Sequence, residues 1–288
     1  MRISMELPLP VLMDDAALDK IAQAGIKDIS VPFEFYDLED AVIIERNRAL
    51  NARGITIDTC HLPHGRYPDA KHSTCSVVPA VFEASLNMWL YYLNRFTLTG
   101  MRATPLHMSG CLFPSMPEAY REQLSRFLAA IAPAAEKAGV MVALENTFYH
   151  KKPEFTYTVN GVEDPHARAN DDVDMIVALM ETLDPKVFGL CFDIGHANLY
   201  GRRVMEDLEK MLPYVCLYHL HDNGGTSDDH YLPGLGNIPF GAFAQKVADH
   251  PHPMYAEVLK DPDPERQAWL FTAEGLIESF AVMHSALA

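Results

Sequence analysis

The sequence predicts an α/β protein, a single-domain (β/α)8 TIM barrel, and three observations lead to this fold class. Eight short β-rich runs alternate with longer helical patterns along the chain, as expected for βα units around a parallel sheet. The length of 288 residues is ordinary for one such barrel. No low-complexity tract or Ser/Gly linker divides the chain, so residues 1–288 are predicted to form one domain.

The predicted strands share the β-rich composition and are separated by helical segments. In chain order they cover residues 2–7, 27–32, 55–61, 102–108, 140–146, 188–194, 215–222 and 254–259. Residues 118–138 illustrate the helical pattern, since apolar side chains recur at helical spacing from Leu124 to Ala135. Pro133 should kink this helix, and Gly139 should end it.

Two segments differ from the ordinary pattern. The helix predicted over residues 79–98 is unusually apolar and carries Trp89 and Tyr91, which predicts a contact between subunits of a homo-oligomer. Residues 147–170 read as a long irregular loop that contains Lys151. Loops of this length in compact domains are often active-site lids.

Composition disfavours several classes of protein. The net charge of −16 opposes binding to nucleic acids and anionic membranes, because such binding needs cationic side chains. The chain has no run of eighteen apolar residues and no N-terminal signal sequence, which predicts a cytoplasmic protein. The five cysteines are odd in number and lack CxxC spacing, so we expect reduced thiols.

Ionisable side chains stand at the C-terminal ends of six consecutive predicted strands. Buried parallel strands are normally apolar, and all strands of a barrel point their C-terminal ends to one face. We therefore expect the following residues to converge on one mouth: His61, His107, Glu145, Asp193, the pair His219 and His221, and Glu257. So many charges would be costly there without a cation. One divalent metal ion is predicted, and Mn²⁺, Co²⁺, Zn²⁺, Fe²⁺ and Mg²⁺ all suit such ligands.

Four stretches carry a resemblance to a known family: VALENTF (142–148), FDIGHANL (192–199), HLHDNGGTSDDHYLPGLGNIPF (219–240) and YAEV (255–258). They resemble the xylose isomerase-like TIM barrel superfamily, in particular its sugar phosphate isomerase/epimerase group. The resemblance covers essentially the whole chain. It implies one divalent ion, with Mn²⁺ favoured, and four metal ligands: Glu145, Asp193, His221 and Glu257. His219 and His221 face the same side of their strand, and His221 is assigned to the metal because it lies nearer the mouth.

The resemblance also implies a metal-dependent isomerase or ketose epimerase acting on a small sugar. A proton would move next to the ketose carbonyl through an enediolate, with Glu145 and Glu257 as the acid and base. The expected substrate-binding residues are His61, His107, His196 and Lys151. A further metal is predicted at three residues: His196, Asp228 and His230. No phosphate-binding fingerprint accompanies them, so an unphosphorylated sugar fits at least as well as a sugar phosphate.

Other functions remain open. A lyase or dehydratase acting on a keto sugar or oxidised glycoside would need the same metal and base. Apurinic endonucleases of this superfamily use three metals, and the chain offers a candidate for each of their nine ligand positions: His61, His107, Glu145, Asp193, His196, His221, Asp228, His230 and Glu257. The acidic charge and the insertion after Glu145 weigh against DNA. A barrel that only binds sugar would not require so many carboxylates.

Overall fold

A closed barrel of eight parallel strands forms the centre of the protein. The computed structural model describes residues 2–63, 73–76, 78–108, 118–147, 157–159, 162–164, 173–199 and 203–288. The barrel strands are β1 (Ile3–Glu6), β2 (Asp28–Pro32), β3 (Thr56–His61), β4 (Ala103–His107), β5 (Met141–Glu145), β8 (Phe188–Asp193), β9 (Val215–Leu220) and β10 (Met254–Ala256). Around the barrel their order is β1-β10-β9-β8-β5-β4-β3-β2. The predicted fold class and all eight predicted strands are confirmed.

Helices cover the outside of the barrel. They are α1 (Leu9–Leu12), α2 (Asp15–Gln23), α3 (Asp40–Ala52), α4 (Pro79–Phe96), α5 (Glu118–Ala138), α6 (Val173–Met180), α7 (Ile194–Asn198), α8 (Val204–Met211), α9 (Phe240–Lys246), α10 (Pro264–Trp269) and α11 (Ala273–Ala286). Within the described part of the chain, 3-10 helices also span Phe33–Asp37 and Leu212–Tyr214. Within the described residues, none of the helices combines the length and apolar character that a membrane crossing requires. The cytoplasmic location stays a prediction.

Helix α5 shows how the sequence produces these elements. The apolar residues predicted to repeat along it are buried: Leu124, Phe127, Leu128, Ile131 and Ala135. Pro133 lies inside the helix. Gly139 has a φ of +67° immediately before β5, a conformation that glycine adopts without a steric cost. The helix is therefore held by its apolar face and ends where predicted.

Helix α4 agrees with the predicted apolar helix. Trp89 and Leu93 are buried, and the Trp89 ring meets Phe127 of α5 edge to face, whereas Tyr91 keeps 45% of its surface exposed. Arg95 lies 5.4 Å from the centre of the Tyr91 ring, so this exposed aromatic side chain already has an intramolecular contact. The homo-oligomer contact through this helix stays a prediction.

Two expectations differ from the structure. The segment predicted to be irregular contains a short antiparallel hairpin formed by β6 (Tyr157–Val159) and β7 (Val162–Asp164). Cys75 is disulfide-bonded, whereas Cys60, Cys191 and Cys216 are free thiols. The expectation of reduced thiols is therefore wrong for Cys75, because spacing along the sequence does not reveal which thiols folding brings together.

The N-terminal face of the barrel is closed by ion pairs. Arg2 forms a charged hydrogen-bonded pair with Asp28 and reaches Asp58, with its Nη2 3.1 Å from Asp58 Oδ1. The Arg102 side chain approaches the same Asp58 oxygen at 3.3 Å. Asp58 is completely buried, so these arginines provide the opposite charge that a buried carboxylate needs.

Candidate metal centre

Three carboxylates and one imidazole meet at the C-terminal ends of four neighbouring strands. These residues are Glu145, Asp193, His219 and Glu257, and each offers a ligand atom within 4.8 Å of the others. His219 Nδ1 lies 3.0 Å from Glu257 Oε2, 3.5 Å from Glu145 Oε1 and 3.7 Å from Asp193 Oδ2. We call these four residues the central cluster.

The structure brings His219, and not His221, together with the three predicted carboxylate ligands. Asp193 on β8 is the register partner of His219 on β9, so their side chains lie side by side. His221 lies beyond the end of β9, where its Nε2 is 3.2 Å from Asp193 Oδ1. Its ring stacks on His230 with 4.0 Å between ring centres. The register between β8 and β9 thus determines which of the two histidines lies beside the carboxylates.

A second group of possible ligands adjoins the central cluster. We call it the outer cluster, and its members are His196, His221, Asp228 and His230. Asp228 Oδ2 lies 2.9 Å from His230 Nε2 and 3.6 Å from His196 Nε2. The group contains the three residues predicted to bind a further metal. His230 has a φ of +53°, which is uncommon for a residue with a side chain and often marks a functional site.

Two histidines form a third group with Glu145. His107 Nε2 lies 3.2 Å from Glu145 Oε2 and 3.3 Å from His61 Nε2. His107 and Glu145 are register partners on β4 and β5, which explains why their side chains meet. Glu145 therefore belongs both to this histidine pair and to the central cluster.

Several buried atoms of the central cluster have charged neighbours at 3 to 4 Å but form no well-aligned hydrogen bond with the described residues. They are Glu145 Oε1 and Oε2, Asp193 Oδ2, and His219 Nδ1 and Nε2. A buried polar group without a partner is costly, and a buried charge more so. A divalent cation would satisfy these atoms together, and mixed oxygen and nitrogen ligands are usual for such ions. The residues present therefore fit a divalent metal ion.

Electrostatic interactions favour the ionised forms of the two glutamates of the central cluster. Burial acts to raise the pKa of Glu145, but His107 and His219 lower it well below its usual value. Burial likewise opposes ionisation of Glu257, whereas His219 and His230 lower the pKa of Glu257. Burial tends to lower the pKa of His219, but neighbouring acidic groups, including Glu145, raise it. His219 thus lies where its positive charge would offset these carboxylates, as a bound metal ion would.

Asn146 fixes two of the candidate ligands. Its Nδ2 donates to the backbone carbonyl of Asp193 at 2.9 Å, and its Oδ1 accepts from the Asp193 backbone N–H at 2.8 Å. The Asn146 carbonyl also lies 2.9 Å from His196 Nδ1. Asp193 Oδ1 accepts from the His196 backbone N–H and so caps helix α7. Asn146 was not predicted as a site residue. The sequence shows it only as a polar residue directly after the glutamate that ends a strand.

Asp222 anchors the loop that carries Asp228 and His230. Its buried carboxylate accepts hydrogen bonds of 2.8 to 3.2 Å from three backbone N–H groups of that loop: Gly234, Gly236 and Ile238. The backbones of Asp222 and Tyr231 also pair with each other. Asp222 therefore positions two residues of the outer cluster without belonging to it.

The remaining predicted site residue, Lys151, lies outside the described residues. Glu6 at the end of β1 is a further acidic residue near the site, and the sequence analysis missed it. Burial raises the pKa of Glu6, and Glu257 and Glu34 add to this effect. The Tyr255 hydroxyl donates a hydrogen bond to the Glu6 carboxylate.

Comparisons with known proteins agree with the barrel fold. The family model "Xylose isomerase-like TIM barrel" matches residues 18–277. Fructoselysine 3-epimerase of Shigella flexneri is 27% identical over 150 residues, which cover 52% of this chain and 48% of that protein. The chain thus matches less than half the length of this curated relative.

Two solved structures share the fold over almost the entire chain. A 3-keto-D-glucoside 4-epimerase from E. coli has 15% sequence identity and a TM-score of 0.68, with 99% of both chains covered. D-psicose 3-epimerase from Clostridium cellulolyticum H10 has 14% identity and a TM-score of 0.70, again with 99% of both chains covered. Since the family model spans most of the sequence, the chain belongs to the xylose isomerase-like TIM barrel family.

Proposed function

We propose that this protein is a divalent-metal-dependent sugar isomerase of the ketose epimerase type. The central cluster carries the proposal, because it combines buried carboxylates and an imidazole with several atoms that lack hydrogen-bond partners. The names of similar proteins, which include a fructoselysine 3-epimerase and a D-psicose 3-epimerase, support a sugar as the substrate. Fold alone would not decide the activity.

The central cluster is the proposed metal site. Glu145, Asp193, His219 and Glu257 would hold the ion, with His219 in the position that the sequence analysis gave to His221. Mn²⁺ is the first ion to test. When bound, the ion supplies Lewis-acid polarisation of a carbonyl group and orients the sugar.

Glu145 and Glu257 are the proposed acid and base. They occupy β5 and the end of β10, two strands separated in the barrel by β8 and β9. One carboxylate would remove the proton from the carbon next to the carbonyl, and the other would return a proton to the opposite face. His61, His107 and His196 are proposed to contact substrate oxygens from the side of the site next to Glu145.

Deuterium exchange tests this function. Protein loaded with Mn²⁺ is incubated in D₂O with a panel of ketoses that includes D-fructose and D-tagatose. We expect solvent deuterium at a carbon next to the carbonyl of at least one ketose, together with its epimer. Glu145→Gln should abolish exchange, whereas Glu39→Gln on the exposed surface should leave it unchanged.

Absence of exchange with every ketose would contradict the proposal. Elimination shares the initial proton removal, so the same reactions are followed by mass spectrometry. Loss of water or of a glycosidic group, without formation of an epimer, would identify the lyase or dehydratase alternative. Keto-glycosides are included in the panel for this purpose.

The three adjoining groups of ligands favour a second candidate, a three-metal hydrolase of the apurinic endonuclease type. Glu145 joins the histidine pair to the central cluster, and His221 joins the central cluster to the outer cluster through Asp193. Against this candidate stands the net charge of −16, which opposes binding to DNA. Three bound metals per chain and cleavage of DNA at abasic sites would establish it. One metal and no cleavage would exclude it.

A further inference from the structure

Glu6 is a carboxylate inside the barrel mouth that belongs to none of the groups of possible metal ligands found among the described residues. It ends β1, which lies next to β10 in the barrel. Its partner Tyr255 lies in the barrel interior, in the same cluster as Ala143 and Leu217. Because the Tyr255 hydroxyl donates to Glu6 Oε2, the Glu6 side chain also points inward.

Tyr255 connects Glu6 with the central cluster. The Tyr255 ring meets the His219 ring edge to face, with 5.0 Å between ring centres. Tyr255 and Glu257 point to the same side, since they are two residues apart at the end of one strand. Glu6 therefore stands beside the proposed metal site, one strand away from Glu257.

The contacts of Glu6 with the rest of the chain do not indicate a purely structural role. Among the described residues no lysine or arginine forms a salt bridge with it, in contrast to Asp58 at the other end of the barrel. Its Oε2 accepts from Tyr255, and its Oε1 has no hydrogen bond with any described residue. The residue is only partly buried, and its carboxylate lies close enough to Glu257 and His219 for their charges to act on its pKa. The Oε1 atom of this carboxylate can therefore accept a hydrogen bond from a bound ligand.

We propose that Glu6 is a substrate-binding residue that selects an uncharged polyhydroxy ketose over its phosphate ester. This inference rests on the proposed function. Oε1 accepts a hydrogen bond from a sugar hydroxyl, and Tyr255 positions the carboxylate by holding Oε2. The neighbouring carboxylates of Glu6 and Glu257 disfavour a phosphate group at this end of the substrate.

Binding measurements on the metal-loaded protein test this role. Titration calorimetry is carried out with D-fructose, D-tagatose and D-fructose 6-phosphate. Glu6→Gln should lower the affinity for the bound ketose roughly tenfold or more, since a hydrogen bond to a charged group is lost. Metal content should stay unchanged, because Glu6 is not a proposed ligand. In turnover assays KM should rise more than kcat falls.

Two further variants separate direct contact from other effects. Glu34 is exposed and acts on Glu6 only through its charge, so Glu34→Gln removes a nearby negative charge without touching the Tyr255 contact. It should alter the affinity by less than about twofold. Tyr255→Phe should weaken binding less than Glu6→Gln does, because the carboxylate remains but is no longer held.

Three results would overturn the inference. Unchanged affinity in Glu6→Gln with intact metal content would remove Glu6 from the substrate site while leaving the proposed function in place. Tighter binding of the phosphate ester than of the free ketose by the wild-type protein would reverse the proposed selectivity. No binding of any ketose by the wild-type protein would overturn the proposed function, and the role of Glu6 with it.

Discussion

The two ends of the barrel both bury carboxylates, but they balance the charge differently. At the N-terminal face, Asp58 is completely buried between the side chains of Arg2 and Arg102. At the mouth, Asp193 and Glu145 are equally buried, yet oxygens of both lack hydrogen-bond partners among the described residues. Arginine does not lose its charge in proteins, whereas imidazoles exchange protons readily near neutral pH.

This difference shows what each end is built to do. The carboxylates at the N-terminal face are paired with arginines of the chain itself, which stay charged whatever the pH. Among the described residues, the cationic side chains close to the mouth carboxylates are imidazoles, so a metal cation can take the place of a proton. The barrel architecture agrees with this division, since conserved chemistry in such folds lies at the C-terminal face.

Substitution of Asp193 should have the largest effect. Asp193→Asn removes one proposed ligand and should reduce turnover by roughly 10²–10⁴-fold, the range expected when a group that acts directly in catalysis is lost. Metal content, measured by atomic emission, should fall in parallel. The unfolding free energy of the metal-free protein should stay equal or rise, because the repulsion among buried carboxylates becomes smaller. Full metal content together with full activity would contradict the account of the mouth.

Metal addition should stabilise the wild-type protein. An ion that binds only the folded state at 100 times its Kd adds about 2.7 kcal/mol, which corresponds to a rise in Tm of roughly 5–10 °C for a protein of this size. Differential scanning fluorimetry with Mn²⁺, with and without EDTA, measures this shift. Asp193→Asn should show little of it, and an equal shift in both proteins would place the metal elsewhere.

Removal of Arg2 should destabilise the N-terminal face in a pH-dependent way. Burial raises the pKa of Asp58 to about 6, against the effect of Arg2, so protonated Asp58 favours the folded state and stability falls as pH rises from about 4 to about 6. Arg2→Met should raise this pKa further, and the loss of about 1–3 kcal/mol should be larger at pH 7.5 than at pH 5. Urea denaturation at both pH values measures it.

The control for this prediction is Arg203→Met, which breaks an exposed pair with Glu206. Its effect should stay within about 1 kcal/mol at either pH. A loss in Arg2→Met that is the same at pH 5 and pH 7.5 would show that the arginine contributes through packing alone. Metal content should be unaffected in both variants.

The smallest effect is expected at Asp222. Asp222→Asn weakens the hydrogen bonds that hold the loop of Asp228 and His230, so the outer cluster should loosen while the central cluster keeps its ion. We expect about a tenfold loss of turnover and faster hydrogen exchange in residues 223–238. Unchanged exchange in this loop would show that Asp222 does not position it.

The sequence predicted those parts of the molecule that follow from local pattern and barrel symmetry. The eight strands followed from alternation with helices, and the carboxylates at the mouth followed from the common direction of parallel strands. The grouping of His219, and not His221, with the three carboxylates did not follow from the sequence, because it depends on the register between β8 and β9, which shifts between Leu190 and Cys191. Glu6 was missed because one acidic residue at the end of a short strand resembles an ordinary surface position.

A metal titration compares the two ends most directly. Metal-stripped wild-type protein, Asp193→Asn and Arg2→Met are titrated with Mn²⁺ by calorimetry under the same conditions. If the mouth is a metal centre, the wild-type protein and Arg2→Met should bind at least one ion saturably, and Asp193→Asn should lose this binding. Absence of binding in the wild-type protein, or equal binding in all three proteins, would contradict the claim that the barrel mouth is a metal centre.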